Sequence, residues 1–355
     1  MSIFDDMLKS DESLFLDEVA LDYSFIPKLI PYREQEQKRI AFCIKPLFSK
    51  RNGKNVFMYG PPGIGKTVAI KHIFRELEDK TEDILPIYIN CWQKNTSFKI
   101  AIEMCEKLGY SFTHNKKTDD LMDIIINIVN KNSAVFCFDE IDKVEDLDFL
   151  YTLLEKIYRK TIILITNYKS WIMDLDERIK SRLTLEFLEF GKYNFKETKG
   201  ILKNRLKYAF VSGVWEDDAF NKVAQKTYDL GDIRSGLYML REAGNAAEDK
   251  ASRKITIKHV DTAIKKLNEF NIKKSTDLKD NERDILKIVK ENSGKKIGDL
   301  FKIYKKQGGK YSYKSFQRKI NHLGKNKFIS IDKRTGGEKG NTSIIKYSQK
   351  KLDEY

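Results

Sequence analysis

The chain has 355 residues, 41% hydrophobic and 33% charged, enough length and apolar content for two or three domains that each bury a core. No apolar run approaches the roughly 20 residues of a membrane helix. The acidic opening MSIFDDMLKSDES lacks the basic region and apolar stretch of a signal peptide, so a membrane class is excluded and a cytoplasmic setting is expected.

The net charge of +14 is uneven: Ser275 to Tyr355 holds 21 Lys and Arg against 10 Asp and Glu, a surplus of +11. That surplus fits a polyanionic partner, or a general lysine bias of the source proteome. Cys43, Cys91, Cys105 and Cys137 form no CxxC pair and read as reduced core or near-core thiols.

Residues 1–26 are an acidic, patchily amphipathic arm, expected to be mobile or a short helix docked on the body. A nucleotide-binding α/β domain is expected over 27–193. It begins with IPKLIPYREQEQKRIAFCIKPLF, where Ile40, Ile44 and Leu47 space as a helix face. Tyr32 and Arg33 stand where they can wall the base of a nucleotide or simply pack.

The apolar run Val56–Tyr59 then leads into Gly60-Pro61-Pro62-Gly63-Ile64-Gly65-Lys66-Thr67, and a helical pattern starts at Val68. Strand, glycine-rich loop and helix in that order make a phosphate-binding P-loop. Its glycines let backbone amides converge without Cβ clashes, and the helix start adds positive potential. Lys66 supplies a mobile charge for the outer phosphates, and Thr67 a hydroxyl for Mg²⁺.

Further along, Ile84–Asn90 reads as a strand, and helical patterns cover Phe98–Leu108 and Leu121–Val129 around a polar loop. Ala134–Phe138 is apolar throughout and ends in Asp139-Glu140. Thr161–Thr166 ends at Asn167, and Leu183–Phe190 is a fifth strand. Runs apolar on both faces suit buried parallel strands, so the expectation is a doubly wound parallel five-stranded sheet with ligands at the strand C-termini. Asp139 at that end can reach Mg²⁺ through water, and Glu140 can orient or deprotonate an attacking water. Asn167 lies beside the γ-phosphate if its strand sits between the other two. Arg178 and Arg182, four apart in LDERIKSR, share a helix face, and Arg182 is the preferred candidate to enter a neighbouring subunit's site.

A helical lid domain is expected over 194–272. Within it, GDIRSGL places Asp232 as a helix cap and Arg234 one turn in, able to face a triphosphate. A polar linker precedes 280–355, read as three helices and a hairpin, a winged helix for DNA binding. Lys314, Ser315, Gln317, Arg318 and Lys319 lie on its basic helix, with Arg334 and Lys339 flanking the wing tip. Lys and Arg there neutralise phosphates, and Gln317 and Arg318 can touch base edges.

Together GPPGIGKT, FCFDEID, LITN and GDIRSGL resemble the initiator clade of AAA+ ATPases, the archaeal origin-recognition and helicase-loader family. The resemblance implies that ATP/ADP and Mg²⁺ are cofactors, that hydrolysis is slow and regulatory, and that double-stranded origin DNA is the partner. It also implies a replicative hexameric helicase as a further partner, and self-association or a paralogous initiator on DNA. Asn167 matches the family's sensor 1 and Arg234 its sensor 2. Tyr193 matches a tyrosine placed against adenine, with Ile201 nearby. A DNA-touching insertion falls on Asn115, Lys116 and Lys117. A clamp-loader-like or transposase-helper ATPase, or an ATP-switched transcription regulator, shares the same chemistry. The terminal hairpin separates the winged helix from a clamp loader's helical collar.

Overall fold

The computed structural model describes residues 13–276, 280–309, 311–325, 329–334 and 342–347. The wing-tip residue Lys339 and the first part of the acidic arm lie outside them. Two compact units result, one of residues 1–214 with 223–237 and one of 215–222 with 238–355.

The first unit is built on five parallel strands: β1 (Asn55–Tyr59), β2 (Ile84–Asn90), β3 (Ser133–Asp139), β4 (Lys160–Thr166) and β5 (Leu185–Glu189). Their spatial order is β2-β3-β4-β1-β5. The expected parallel five-stranded sheet is therefore present, with β4 between β1 and β3. Every residue of β3 and β4 is buried, which is why their central stretches, Ala134–Phe138 and Ile162–Ile165, are continuously apolar instead of alternating, with polar residues only toward the strand ends. Alternate side chains enter two different layers. Phe57, Phe136 and Phe138 face α3 (Ser97–Lys107), α4 (Thr118–Val129) and α5 (Asp148–Lys156). Val56, Met58, Cys137 and Ile165 face α1 (Glu34–Ile44) and α2 (Lys66–Lys80).

Two boundaries differ from the sequence expectation. Leu183 does not open β5. It is fully buried as the last residue of α6 (Glu177–Leu183), and Thr184 then turns with φ +37°. Leu47 is buried, but in a separate 3₁₀ turn, Lys45–Ser49. Pro46 lacks the N–H that would continue α1.

The described part of the arm docks. A 3₁₀ turn, Glu18–Leu21, buries Ala20 and Leu21. The N–H groups of Leu16 and Asp17 bond to the carbonyl of Ala209 at the end of α7 (Phe195–Ala209), and the Phe15 and Phe210 rings lie 4.6 Å apart. Arg205 of α7 donates to the carbonyls of Ala20 (3.1 Å) and Phe25 (3.0 Å). Three more helices follow: α8 (Asp217–Leu230), α9 (Ile233–Glu248) and α10 (Ile257–Thr276).

In the second unit the chain continues through α11 (Asp280–Glu291), β6 (Lys295–Lys296), α12 (Ile297–Lys306), α13 (Tyr313–Lys325), β7 (Ile329–Arg334) and β8 (Thr342–Tyr347). The sheet order is β6-β8-β7, antiparallel, the element order of a winged helix. Ile285, Val289, Leu300, Phe316, Ile320 and Ile345 form its core. The two-residue strand β6 was not expected, because two lysines carry no strand signal. Gly324 is the next-to-last residue of α13. A Cβ there would come 2.7 Å from Ile331 Cδ1, so the glycine lets the end of α13 pack closely on β7.

All four cysteines are buried free thiols. Among the described residues no helix is long and apolar enough to cross a membrane.

Candidate functional site

The C-terminal ends of β1, β3 and β4 bring the sequence-predicted residues together. The loop after β1 has positive φ at Gly60, Gly63 and Gly65. At Gly63 the need is double: φ is +73°, and a Cβ would run into the Asp232 carboxylate. Pro61, Pro62 and Val68 are half-buried at the loop, and Ile64 anchors it in the core.

Lys66 begins α2 and is only 7% exposed. Its Nζ donates to Gly60 O (2.6 Å), Pro61 O (2.7 Å) and Asn167 Oδ1 (3.0 Å). Burial lowers its pKa to about 8, with Asp139 opposing that shift and Arg234 adding to it. Asn167 can reach Lys66 because β4 lies beside β1, the condition that its sensor reading required.

Thr67 Oγ1 donates to Asp139 Oδ2 at 2.6 Å, while the Glu140 amide donates to Asp139 Oδ1 at 3.0 Å. Glu140 itself adopts a left-handed conformation, φ +54°. Burial, and then the charges of Asp139 and Asp142, raise its carboxyl pKa. A poised carboxyl held off the strand direction suits a group that takes a proton from water.

Arg234 is the second residue of α9, not one turn in. Asp232 accepts from the Arg234 amide (2.9 Å) and also from the guanidinium, at 3.1 Å for Nε and 2.8 Å for Nη2. A cap so close to the helix start leaves no room for an intervening turn. The Ile233 amide reaches Gly63 O at 3.2 Å, which seats the start of this helix on the P-loop.

Arg33 and Tyr193 form one block. Arg33 Nε donates to Tyr193 Oη (3.0 Å), its Nη2 donates to Gly191 O (2.6 Å) and Ile64 O (3.2 Å), and its Nη1 pairs with Glu36 (2.6 Å). The guanidinium also lies 4.1 Å from the Tyr193 ring centroid. Tyr32, at φ +67°, packs its hydroxyl against Gly200, one residue before the half-buried Ile201.

On α6, Arg178 pairs with Asp176 at 3.0 Å, and Arg182 lies 5.0 Å over the Tyr151 ring. Asn115 (φ +58°), Lys116 and Lys117 occupy the turn before α4, where the Lys117 amide bonds to Asp120. On α13, Lys314, Gln317 and Arg318 are exposed opposite the buried Phe316 and Ile320, Ser315 is half-buried, and Lys319 lies 5.0 Å over Tyr311. Arg334 ends β7.

Sequence reading missed two residues here. Tyr88 of β2 donates its hydroxyl to Asp139 Oδ2 at 2.9 Å, and Asp142 accepts from Thr166 Oγ1 at 2.9 Å. A tyrosine in a strand signals only β-propensity, so nothing local pointed to the first. Asp142 was visible in FCFDEID but carried no separate role.

Two family models match the chain, an AAA domain over residues 50–168 and a Cdc6 AAA+ ATPase-type lid domain over residues 199–265. The chain is 33% identical over 276 residues to ORC1-type DNA replication protein 1 of Sulfurisphaera tokodaii, covering 74% of this chain and 69% of that protein. It is 29% identical over 361 residues to ORC1-type DNA replication protein 2 of Methanothermobacter thermautotrophicus, covering 96% and 93%. In fold it is similar to the Aeropyrum pernix ORC1 protein solved in complex with DNA, with a TM-score of 0.75 at 22% identity, covering 97% and 96% of the two chains.

Proposed function

This chain belongs to the family of ORC1-type DNA replication proteins, and we propose that it is an ATP-switched initiator that binds duplex origin DNA and helps place the replicative helicase. The observation that carries the ATPase reading is the convergence of Lys66, Thr67, Asp139, Glu140 and Asn167 at adjacent strand ends.

The residues fit a magnesium nucleotide. Positive-φ glycines open a backbone cradle, a 15-residue helix starts at Lys66, and Thr67 and Asp139 offer hard oxygen donors. When bound, Mg²⁺ supplies charge neutralisation across the outer phosphates. Lys66 exchanges its loop carbonyls for phosphate oxygens while Asn167 keeps it aimed. Glu140 orients the attacking water and accepts its proton. Arg234, seated beside the P-loop by Asp232, reports the triphosphate to the lid. Tyr193 with Arg33, and Tyr32 with Ile201, wall the adenine side. Arg182, or Arg178 in its place, completes a neighbour's site when copies or a paralogue assemble on DNA.

DNA contact is assigned to the exposed face of α13, with Lys314 and Lys319 on phosphates and Ser315, Gln317 and Arg318 near base edges. Arg334 and Lys339 serve the wing, and Asn115, Lys116 and Lys117 form a second contact. The antiparallel β6-β8-β7 sheet favours this over a clamp-loader collar. Cytoplasmic, nucleoid-associated action follows from the DNA partner.

The test is Glu140→Gln. ATP binding should persist while turnover falls by about a hundredfold or more. Unchanged turnover would remove Glu140 from the water-activating role.

A further inference from the structure

Three donors converge on one carboxylate. Asp139 Oδ2 accepts from Thr67 Oγ1 (2.6 Å) and from Tyr88 Oη (2.9 Å), and Oδ1 accepts from the Glu140 amide (3.0 Å). The first and third come from motifs that bind nucleotide. The second comes from the edge strand β2, outside every nucleotide motif of the sequence.

The geometry that delivers it is simple. Tyr88 is opposite Cys137 in the parallel β2–β3 register, and both pack in the layer that faces α1 and α2. Asp139 is two residues beyond Cys137, so its side chain leaves the same face of the sheet. The phenol runs along that face to the strand end. The ammonium of Lys71, on α2, lies 5.1 Å from the centre of its ring. The ring is thus held on one side by the sheet and on the other by the P-loop helix.

Such a donor has a specific use. A carboxylate on a strand end rotates freely about its last torsion unless its oxygens are bonded. The Glu140 amide holds only Oδ1, and on Oδ2 the Thr67 hydroxyl is shared with the metal side of the site, so Tyr88 is the one donor to Oδ2 from outside the nucleotide motifs. Among the described residues the Tyr88 hydroxyl bonds to Asp139 alone. Outer partners of this kind orient metal-binding carboxylates, and losing one typically costs about 10- to 100-fold in metal affinity or activity.

We infer that Tyr88 is a positioning residue for magnesium-dependent nucleotide binding and turnover, its hydroxyl fixing the Asp139 carboxylate in register with Thr67. This rests on the reading of Thr67 and Asp139 as the magnesium side of an ATP site.

The experiment titrates a fluorescent ADP analogue into the full chain, in EDTA and across a Mg²⁺ series, for wild type and Tyr88→Phe. Phe keeps the ring, its packing and the Lys71 contact, and removes only the donor. Affinity in EDTA should be unchanged, while the Mg²⁺ concentration giving half of the metal-dependent gain should rise about tenfold. In an Asp139→Asn background the same replacement should add nothing further. That cycle reads the coupling even if Tyr88→Phe lowers the melting temperature. An unchanged Mg²⁺ requirement overturns the inference. So does an equal affinity loss with and without Mg²⁺, which would mark a packing role. If wild type itself gains nothing from Mg²⁺, both this inference and the ATP-site reading beneath it fall.

Discussion

Asn167 Oδ1 accepts a hydrogen bond from Lys66 Nζ at 3.0 Å, joining two residues 101 positions apart through neighbouring parallel strands. The bond gives a buried ammonium, held otherwise by the loop carbonyls of Gly60 and Pro61, a side-chain partner that remains when those carbonyls yield to phosphate. Asn167→Ala should therefore cost turnover more than binding, by about a hundredfold in kcat, since small misplacements at a reacting centre are that expensive. Asn167→Asp should act differently. A carboxylate would draw Lys66 into an ion pair and weaken nucleotide affinity as well. Equilibrium titration beside single-turnover hydrolysis separates the two. Equal effects of both replacements on affinity would argue against Asn167 as an aiming group.

Arg33 is 5% exposed and donates to Tyr193, Gly191, Ile64 and Glu36. It joins the segment before α1 to the P-loop and to the start of the lid helix α7. Arg33→Ala should destabilise the protein by about 2–4 kcal/mol, because several buried acceptors lose a charged donor at once. Arg33→Lys should rescue little, since a single ammonium cannot span a fork of four partners. Chemical denaturation measures the first effect. An Arg33→Lys midpoint equal to wild type would contradict the second.

These two pairs show what was legible in the sequence. The P-loop, the acidic end of β3 and the asparagine that follows β4 are visible in local strings, because phosphate chemistry demands particular residues at fixed spacing. The continuous apolar runs within β3 and β4 announced a buried parallel sheet, because both faces of those strands are covered. Tyr88, and the link of Arg33 to Tyr193, depend on which strands and segments lie side by side. No local pattern encodes that. Arg234 stands second in α9 and not a turn in, because the Asp232 cap bonds the Arg234 amide directly, a detail that the string GDIRSGL does not encode. The arm, ambiguous by composition, is settled for its described residues by Arg205, which reads as an ordinary surface arginine until its two carbonyl partners are seen.

His259 supplies a pH-dependent test of the second unit. It is 5% exposed, and its Nδ1 accepts from the Thr256 amide at 3.2 Å. Burial and then the charge of Lys250 lower its pKa below the ordinary 6.5, with Glu216 opposing them. The folded ring thus stays neutral where the unfolded ring gains a proton. Stability is then unaffected above about pH 6.5 and is lost as the pH falls below it, toward the lower folded value. His259→Gln keeps an acceptor without a titrating group. The fall in melting temperature between about pH 7 and 5 should be shallower in this variant than in wild type. Parallel curves would remove His259 as the source.

The exposed face of α13 makes two separable predictions for DNA. Lys314 is exposed with no acidic residue on the first turn of its helix, so its charge is available to a phosphate. Lys314→Ala should weaken binding of all duplexes alike and reduce the log–log salt slope by about one. Arg318 stands one turn further along the same face. Its planar fork suits a guanine edge, so Arg318→Ala should cost about 1–3 kcal/mol on the preferred site and much less on random duplex. Fluorescence anisotropy across a salt series, on origin-derived and scrambled DNA, reads both. If Lys314→Ala changes sequence preference while Arg318→Ala changes only the salt slope, the two roles are exchanged. If neither variant alters binding, this face of α13 does not contact DNA.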